Sequence, residues 1–182
     1  MARKRANPVR PVAVLDACLL IPPGLSDLLL SCAEAKAFRP VWQSEIEDEV
    51  RRNAIPLTME RRGFSEQQAA EGMEHTLTQM NRAFPDAHAD TNLWVPLVRK
   101  MTCHDKDRHV LAVAVGAGAT HLVTGNIRDF PVASRPRGLA VQKPDRFMLE
   151  RFQGTPSWSS TPSRQWRGRG APSRRRSRSH DS

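Results

Sequence analysis

The sequence predicts one α/β domain of three layers, α/β/α, built on a central, mostly parallel sheet. Short, wholly apolar runs of strand length alternate with longer segments whose apolar residues recur at helical spacing. Two of those runs give way at once to turn chemistry: Asp16 follows Val12-Ala13-Val14-Leu15, and Gly125-Asn126 follow His121-Leu122-Val123 and Thr124. The chain has 182 residues, 39% of them hydrophobic, which is enough for one sizeable core and too little for an obvious pair of domains.

The elements follow in order. Residues 1–10 form a short basic leader, and the domain spans 11–152. Val12-Ala13-Val14-Leu15 is a buried strand, because a short run that is apolar throughout suits a strand covered on both faces. Residues 25–37 suggest a helix with Leu25, Leu28, Leu29 and Cys32 on one face, and Phe38-Arg39-Pro40-Val41 is a weak second strand. Ser44 and Glu47 fit a capping box opening a helix whose Ile46 and Val50 share an apolar side. Residues 54–64 read as a connection. Ser65 and Gln68 repeat the capping signature before a long helix with Met73, Leu77, Met80 and Phe84 at helical spacing, which Pro85 stops. Asn92–Val98 is ambiguous, with a short strand around Leu93-Trp94-Val95 as one reading. Asp105 to Gly116 is a helix, His121-Leu122-Val123 a strand, Leu139-Ala140-Val141 another, and Pro144 to about Phe152 a closing helix. From residue 153 the composition turns to Ser, Arg, Pro, Gly and Trp, which cannot form a packed core, so 153–182 is expected to be a disordered tail.

Charge follows the same boundary. The net charge is +9, yet residues 1–150 hold 20 Lys and Arg against 18 Asp and Glu, while residues 151–182 hold eight against one. The body is nearly neutral and the basicity belongs to the tail. Two readings of that tail stand: Trp158 and Trp166 stacking bases among arginines that hold phosphates, or sequence outside the natural reading frame. The apolar runs are far short of a membrane span and no export signal is visible. Cys18, Cys32 and Cys103 are odd in number and share no metal-binding spacing, which fits a reducing cytoplasm.

In open α/β sheets ligands bind beyond the carboxyl ends of the strands. Asp16 stands at one such end, and Asn126 and Asp129 follow another. Asp105 and Asp107 open a helix, and Glu45, Glu47 and Glu49 lie on the helix beginning at Ser44, with Glu47 and Glu49 bordering its buried stripe. Each has an ordinary reading: a turn former, a helix cap, a solvated face. Together they are less ordinary. Two carboxylates about 4 Å apart cost roughly 4 kcal/mol at an effective dielectric near 20. A cation relieves that cost, and oxygen ligands favour Mg²⁺ or Mn²⁺ over zinc. His104 and His109 flank these acids, and Arg108 and Arg128 stand beside them as candidate phosphate contacts, with helix-start and solvated-face readings alongside. A nucleotide-binding reading fails on Asp16-Ala17-Cys18-Leu19-Leu20, which offers no Gly-rich loop after the first strand.

These residues resemble a known family. Val14-Leu15-Asp16-Ala17-Cys18 is similar to the opening strand-and-Asp motif of PIN domains, and Ser44 to Val50 to the segment bearing their acidic helix residue. His104 to Ala114 resembles the family's Asp followed by an apolar helix. Val123-Thr124-Gly125-Asn126-Ile127-Arg128-Asp129-Phe130-Pro131 resembles the segment of the last ligand, and Leu139 to Phe147 the closing strand and helix. The resemblance implies a PIN-like fold and a metal-dependent endoribonuclease that hydrolyses RNA phosphodiester bonds. Asp16, Glu49, Asp107 and Asn126 would be catalytic, holding Mg²⁺ or Mn²⁺ with Asp129 as a further ligand. Asn126 departs from the family's usual Asp, which Asp129 compensates. Within the family the nearest likeness is to bacterial toxin ribonucleases of the VapC type, implying a cognate antitoxin and a homodimer. The alternative is a non-catalytic PIN-like module that binds RNA or protein.

Overall fold

The computed structural model describes residues 10–153. The leader expected at 1–10, apart from Arg10, and the tail expected from 153, apart from that residue's backbone, lie outside the described residues. Four strands, β1 (Val12–Leu15), β2 (Arg39–Val41), β3 (His121–Val123) and β4 (Ala140–Gln142), form one sheet in the order β2-β1-β3-β4. Every pairing is parallel, with Val14 opposite both Val41 and Leu122. Ala13, Val14, Leu15, Leu122 and Val123 are fully buried, as expected for inner strands covered on both faces. Pro40 is tolerated because β2 is an edge strand, where a missing N–H breaks no inner ladder.

The helices α1 (Ala17–Leu20) and α2 (Pro23–Glu34) connect β1 to β2. Between β2 and β3 run α3 (Ser44–Arg62), α4 (Glu66–Ala83), α5 (Thr91–Trp94) and α6 (Arg108–Gly116), and α7 (Pro144–Gln153) follows β4. The chain moves one way from β1 to β2 and the opposite way from β2 to β3, so right-handed crossovers place the two connections on opposite faces. The result is an α/β/α arrangement. Phe147 of α7 is fully buried edge-on against Phe38 and His121, with ring centroids 5.0 and 5.2 Å away. Among the described residues no helix is long and apolar enough to cross a membrane.

Several elements differ from expectation for local reasons. In α2 the buried residues are Ser26, Leu29, Leu30, Cys32 and Ala33; of the expected face Leu29 and Cys32 are buried, Leu25 packs partly buried against the core, and Leu28 is half exposed. The helix ends at Glu34, and Lys36, two residues on, takes the left-handed conformation. The N-cap of α3 is Gln43, whose Oε1 accepts from the Ile46 N–H at 2.9 Å, so the cap lies one residue before Ser44. Glu47 is instead buried and accepts from Asn81 Nδ2 at 2.8 Å, while Trp42 Nε1 donates to Asn81 Oδ1 at 2.9 Å. That chain of bonds ties the exit of β2 to α3 and α4. Residues 54–62 are helical, through Pro56, because α3 pairs with α4 as a hairpin closed by Gly63 in the left-handed region and the capping box of Ser65 and Gln68. Residues 91–100 form α5 and a 3₁₀ turn (Val95–Lys100), not a strand. Asp90 caps them by accepting from Asn92 N–H at 2.9 Å, and Trp94 alone of its triplet is buried.

Two helical glycines separate intrinsic propensity from packing. A Cβ at Gly116 would lie 2.9 Å from the Leu93 carbonyl oxygen and 3.0 Å from Trp94 Cβ, whereas one at Gly72 meets nothing within 4 Å. Gly72→Ala should stabilise the fold by about 0.5–1 kcal/mol. Gly116→Ala should destabilise it by about 1–3 kcal/mol despite alanine's better helix propensity. Chemical denaturation of both variants checks the opposite signs.

Candidate active site

β1 lies between β2 and β3, and the chain reverses direction across it, which opens a crevice at the carboxyl ends of β1 and β3. Asp16 sits there, 8% exposed, and its N–H donates to the Val123 carbonyl at 3.1 Å, extending the ladder one step beyond β1. Its Oδ2 accepts from the Thr124 hydroxyl at 2.5 Å and from the Cys18 thiol at 3.3 Å. The loop after β3 closes onto these groups. Asn126 N–H donates to Thr124 Oγ1 at 2.9 Å and Gly125 N–H to Cys18 Sγ at 3.2 Å. Burial, and then the Asp16 charge, push the Cys18 thiol up to about 11, so it stays protonated and remains a donor at neutral pH.

Three further carboxylates reach the same region from different segments. Glu49 lies on α3, half buried; burial first and then Asp16 and Asp129 raise its pKa, while Arg52 and Lys106 oppose. Asp107 ends a 3₁₀ turn (Asp105–Asp107) and occupies the N-cap position of α6, yet its side chain makes no capping bond. Its backbone is helical, since the 3₁₀ turn capped by His104 runs straight into α6. Here Oδ2 is buried without a hydrogen-bond partner. Burial raises the Asp107 pKa most, Lys106 lowers it, and Asp129, Asp16 and Glu49 raise it further. Asp129 closes the turn Ile127–Asp129, with its Oδ2 at 3.8 Å from Lys106 Nζ, which is also 4.0 Å from Asp107 Oδ2.

The structure therefore gathers Asp16, Glu49, Asp107 and Asp129, and treats the other expected residues differently. Asn126 is exposed; it holds Thr124 through its backbone, and its side chain does not cap the turn it opens. Asp105 is exposed and paired with Arg108 at 2.8 Å, which commits that arginine locally. Glu47 belongs to the Asn81 network, Glu45 is exposed, and Arg128 is exposed. His104 Nδ1 accepts from the Lys106 N–H at 3.4 Å, a turn-capping role. His109 is half buried, and burial holds its pKa below the usual range against the pull of Glu45, Asp107 and Asp16. Thr124, Cys18 and Lys106 escape sequence reasoning. The one available signal is the step from an apolar run straight to Thr, whose buried hydroxyl needs a partner.

Four oxygen-donor side chains, of which Glu49 and Asp107 are raised in pKa by burial and by their acidic neighbours and one has a buried oxygen without a hydrogen bond, fit a hard divalent cation. As placed, no three His, Cys, Asp or Glu side chains among the described residues close on a common point at metal-binding reach.

Fold and site together define an α/β domain with acids gathered at its switch point. The family model for the PIN domain matches residues 12–128, well over half of the chain, and the chain belongs to that family. It is similar to the protein named "Putative ribonuclease VapC50" from Mycobacterium tuberculosis, with 43% identity over 57 residues. That match covers 31% of this chain and 34% of the relative, about a third of its length. No solved structure matches the chain.

In the metal-free protein Glu49 and Asp107 hold their protons more tightly than in the unfolded chain. Stability therefore falls as pH rises from the unfolded carboxylate range through the raised folded values. Asp107→Asn removes one of the repelling charges. In chelator at neutral pH its Tm should exceed that of wild type by a few degrees, and the gap should close below about pH 4, where carboxyls are protonated. Thermal melts across pH check this; a lower Tm for the variant at neutral pH would mean that Asp107 contributes a stabilising bond.

Proposed function

We propose that the protein is a divalent-metal-dependent endoribonuclease that hydrolyses RNA phosphodiester bonds. The observation that carries this reading is the mutual repulsion of four carboxylates at the β1/β3 crevice of a PIN domain, one left without a hydrogen-bond partner. The name of the similar mycobacterial protein agrees with it. Asp16, Glu49, Asp107 and Asp129 would hold Mg²⁺ or Mn²⁺, with Asp129 supplying the charge that Asn126 lacks. When bound, the ion supplies an acidified water and charge stabilisation at the phosphate. The protein's own residues do the rest. Thr124 and Cys18 fix the Asp16 carboxylate by donating to Oδ2. Lys106 counters Asp107 and Asp129, and its exposed ammonium would be available to a phosphate.

Further parts of the reading rest on the likeness to VapC-type toxins: a toxin–antitoxin pair, a cognate antitoxin that covers the site, a homodimer, and a cytoplasmic setting. The three free cysteines suit the last. A non-catalytic binding module is favoured by Asn126 alone, and Asp129, three residues on in the same 3₁₀ turn, weakens that argument by restoring the charge.

Thermal shift and RNA cleavage with and without Mn²⁺ test the reading on wild type, Asp16→Asn, Asp129→Asn and Asn126→Asp. Wild type should gain Tm with metal and cut RNA. Asp16→Asn should lose most of the shift and more than about 100-fold of the rate. Asp129→Asn should weaken metal binding, and Asn126→Asp should change it less. Equal metal responses in wild type and Asp16→Asn, or no cleavage at millimolar metal, would remove the reading.

A further inference from the structure

The end of the sheet that carries the acids also carries a basic cleft. β4 ends at Gln142, beside β3, and the Thr124 N–H donates to the Gln142 carbonyl at 3.0 Å. The loop that holds Asp16 and the wall of the cleft are therefore bonded neighbours, about two strand spacings or roughly 10 Å from β1. The cleft has a volume of about 470 Å³, and Arg135, Lys143 and Arg146 line it over a floor that includes Ile127, Leu139 and Val141. Asp145 is the one acid in its wall. Ile127 shares its 3₁₀ turn with Asp129, so the cleft adjoins the turn that carries one of the acids.

The three cations differ in how they are held. Arg135 is half buried, and its Nε donates to the Phe130 carbonyl at 2.8 Å, which fixes the plane of the guanidinium. Lys143 is exposed at the end of β4. Arg146 is exposed and paired at 3.1 Å with Glu150, an acid that also accepts from Gln142 Nε2 at 3.1 and 3.0 Å. A cluster of four carboxylates repels a polyanion, so a nuclease built on it needs cations elsewhere to hold the strand. Three cations around a concavity next to those acids meet that need, and the apolar floor suits a ribose or base face.

We propose that this cleft binds backbone phosphates of single-stranded RNA on one side of the bond to be cut and leads the strand to the acids. The proposal rests on the ribonuclease reading above, and it assigns Arg135, Lys143 and Arg146 to strand holding. Lys143→Ala/Arg146→Ala is the test pair. Arg61→Ala/Arg62→Ala is the control, since both arginines are exposed in the last turn of α3, a 19-residue helix, and carry the same charge. Lys143→Arg/Arg146→Lys keeps the charge in place.

Fluorescence anisotropy of a labelled single-stranded RNA is followed in chelator across salt, using full-length proteins of matched Tm. The cleft pair should bind about tenfold more weakly at moderate salt, with the salt slope reduced by about 1 to 2. The control pair and the charge-keeping swap should stay within about twofold of wild type. In Mn²⁺ the cleft pair should raise KM and leave kcat unchanged. RNA binding unchanged in the cleft pair, or lost equally in the control pair, overturns the proposal. The two readings fail separately. Cleavage with unchanged RNA binding in the cleft pair sinks the cleft alone. Selective loss of RNA binding without cleavage by any of the proteins keeps the cleft as an RNA site and sinks the nuclease.

Discussion

The hydrogen bond from the Thr124 hydroxyl to the Asp16 carboxylate, 2.5 Å long, joins the ends of the two central strands. Asp16 is nearly buried and Thr124 is fully buried, so each would bear a desolvation cost without the other. The bond fixes which oxygen of Asp16 turns inward. Through Asn126 and Gly125 it also fixes the loop after β3, and so the positions of Asp129 and of the basic cleft. The parallel register of β1 and β3 makes the bond possible, because Leu15 lies opposite Val123 and the next residue of each strand is the partner.

Around that fixed point the molecule keeps charges that it does not neutralise by itself. Lys106 stands 3.8 Å from Asp129 and 4.0 Å from Asp107 and counters part of their repulsion, while Glu49 and Asp107 are held toward their protonated forms. Asp107 lies inside the helical run that His104 caps, and its side chain keeps a buried oxygen without a hydrogen bond. Such a cost is characteristic of sites poised for a ligand. By contrast, the buried acid Glu47 is satisfied by Asn81 and approached by His88 and Arg51, and belongs to the scaffold.

The strands were legible because wholly apolar runs bounded by turn residues leave few alternatives, and β1 and β3 carry the same residues that the pattern marks. What was not legible came from tertiary context. Pro56 reads as a stop, but pairing with α4 carries α3 past it to Arg62. Leu93-Trp94-Val95 has strand propensity, yet only Trp94 turns inward, as a short helix allows. A capping box at Ser44 and Glu47 was plausible until Asn81, far along the chain, claimed Glu47. In the site, Asp16 could be read from its place after a strand. That Asp129 ends within 3.8 Å of Lys106 could not, because it depends on how a 3₁₀ turn orients its last side chain.

Paramagnetic broadening by Mn²⁺ in an amide-resolved NMR spectrum tests the central claim most directly, since it locates a bound ion without reference to activity. Substoichiometric Mn²⁺ should first erase the amides of residues 16–18, 49–50, 105–108 and 125–129, and Asp16→Asn should largely prevent it. Broadening centred elsewhere, or the same pattern in Asp16→Asn, would contradict a metal site gathered around Asp16.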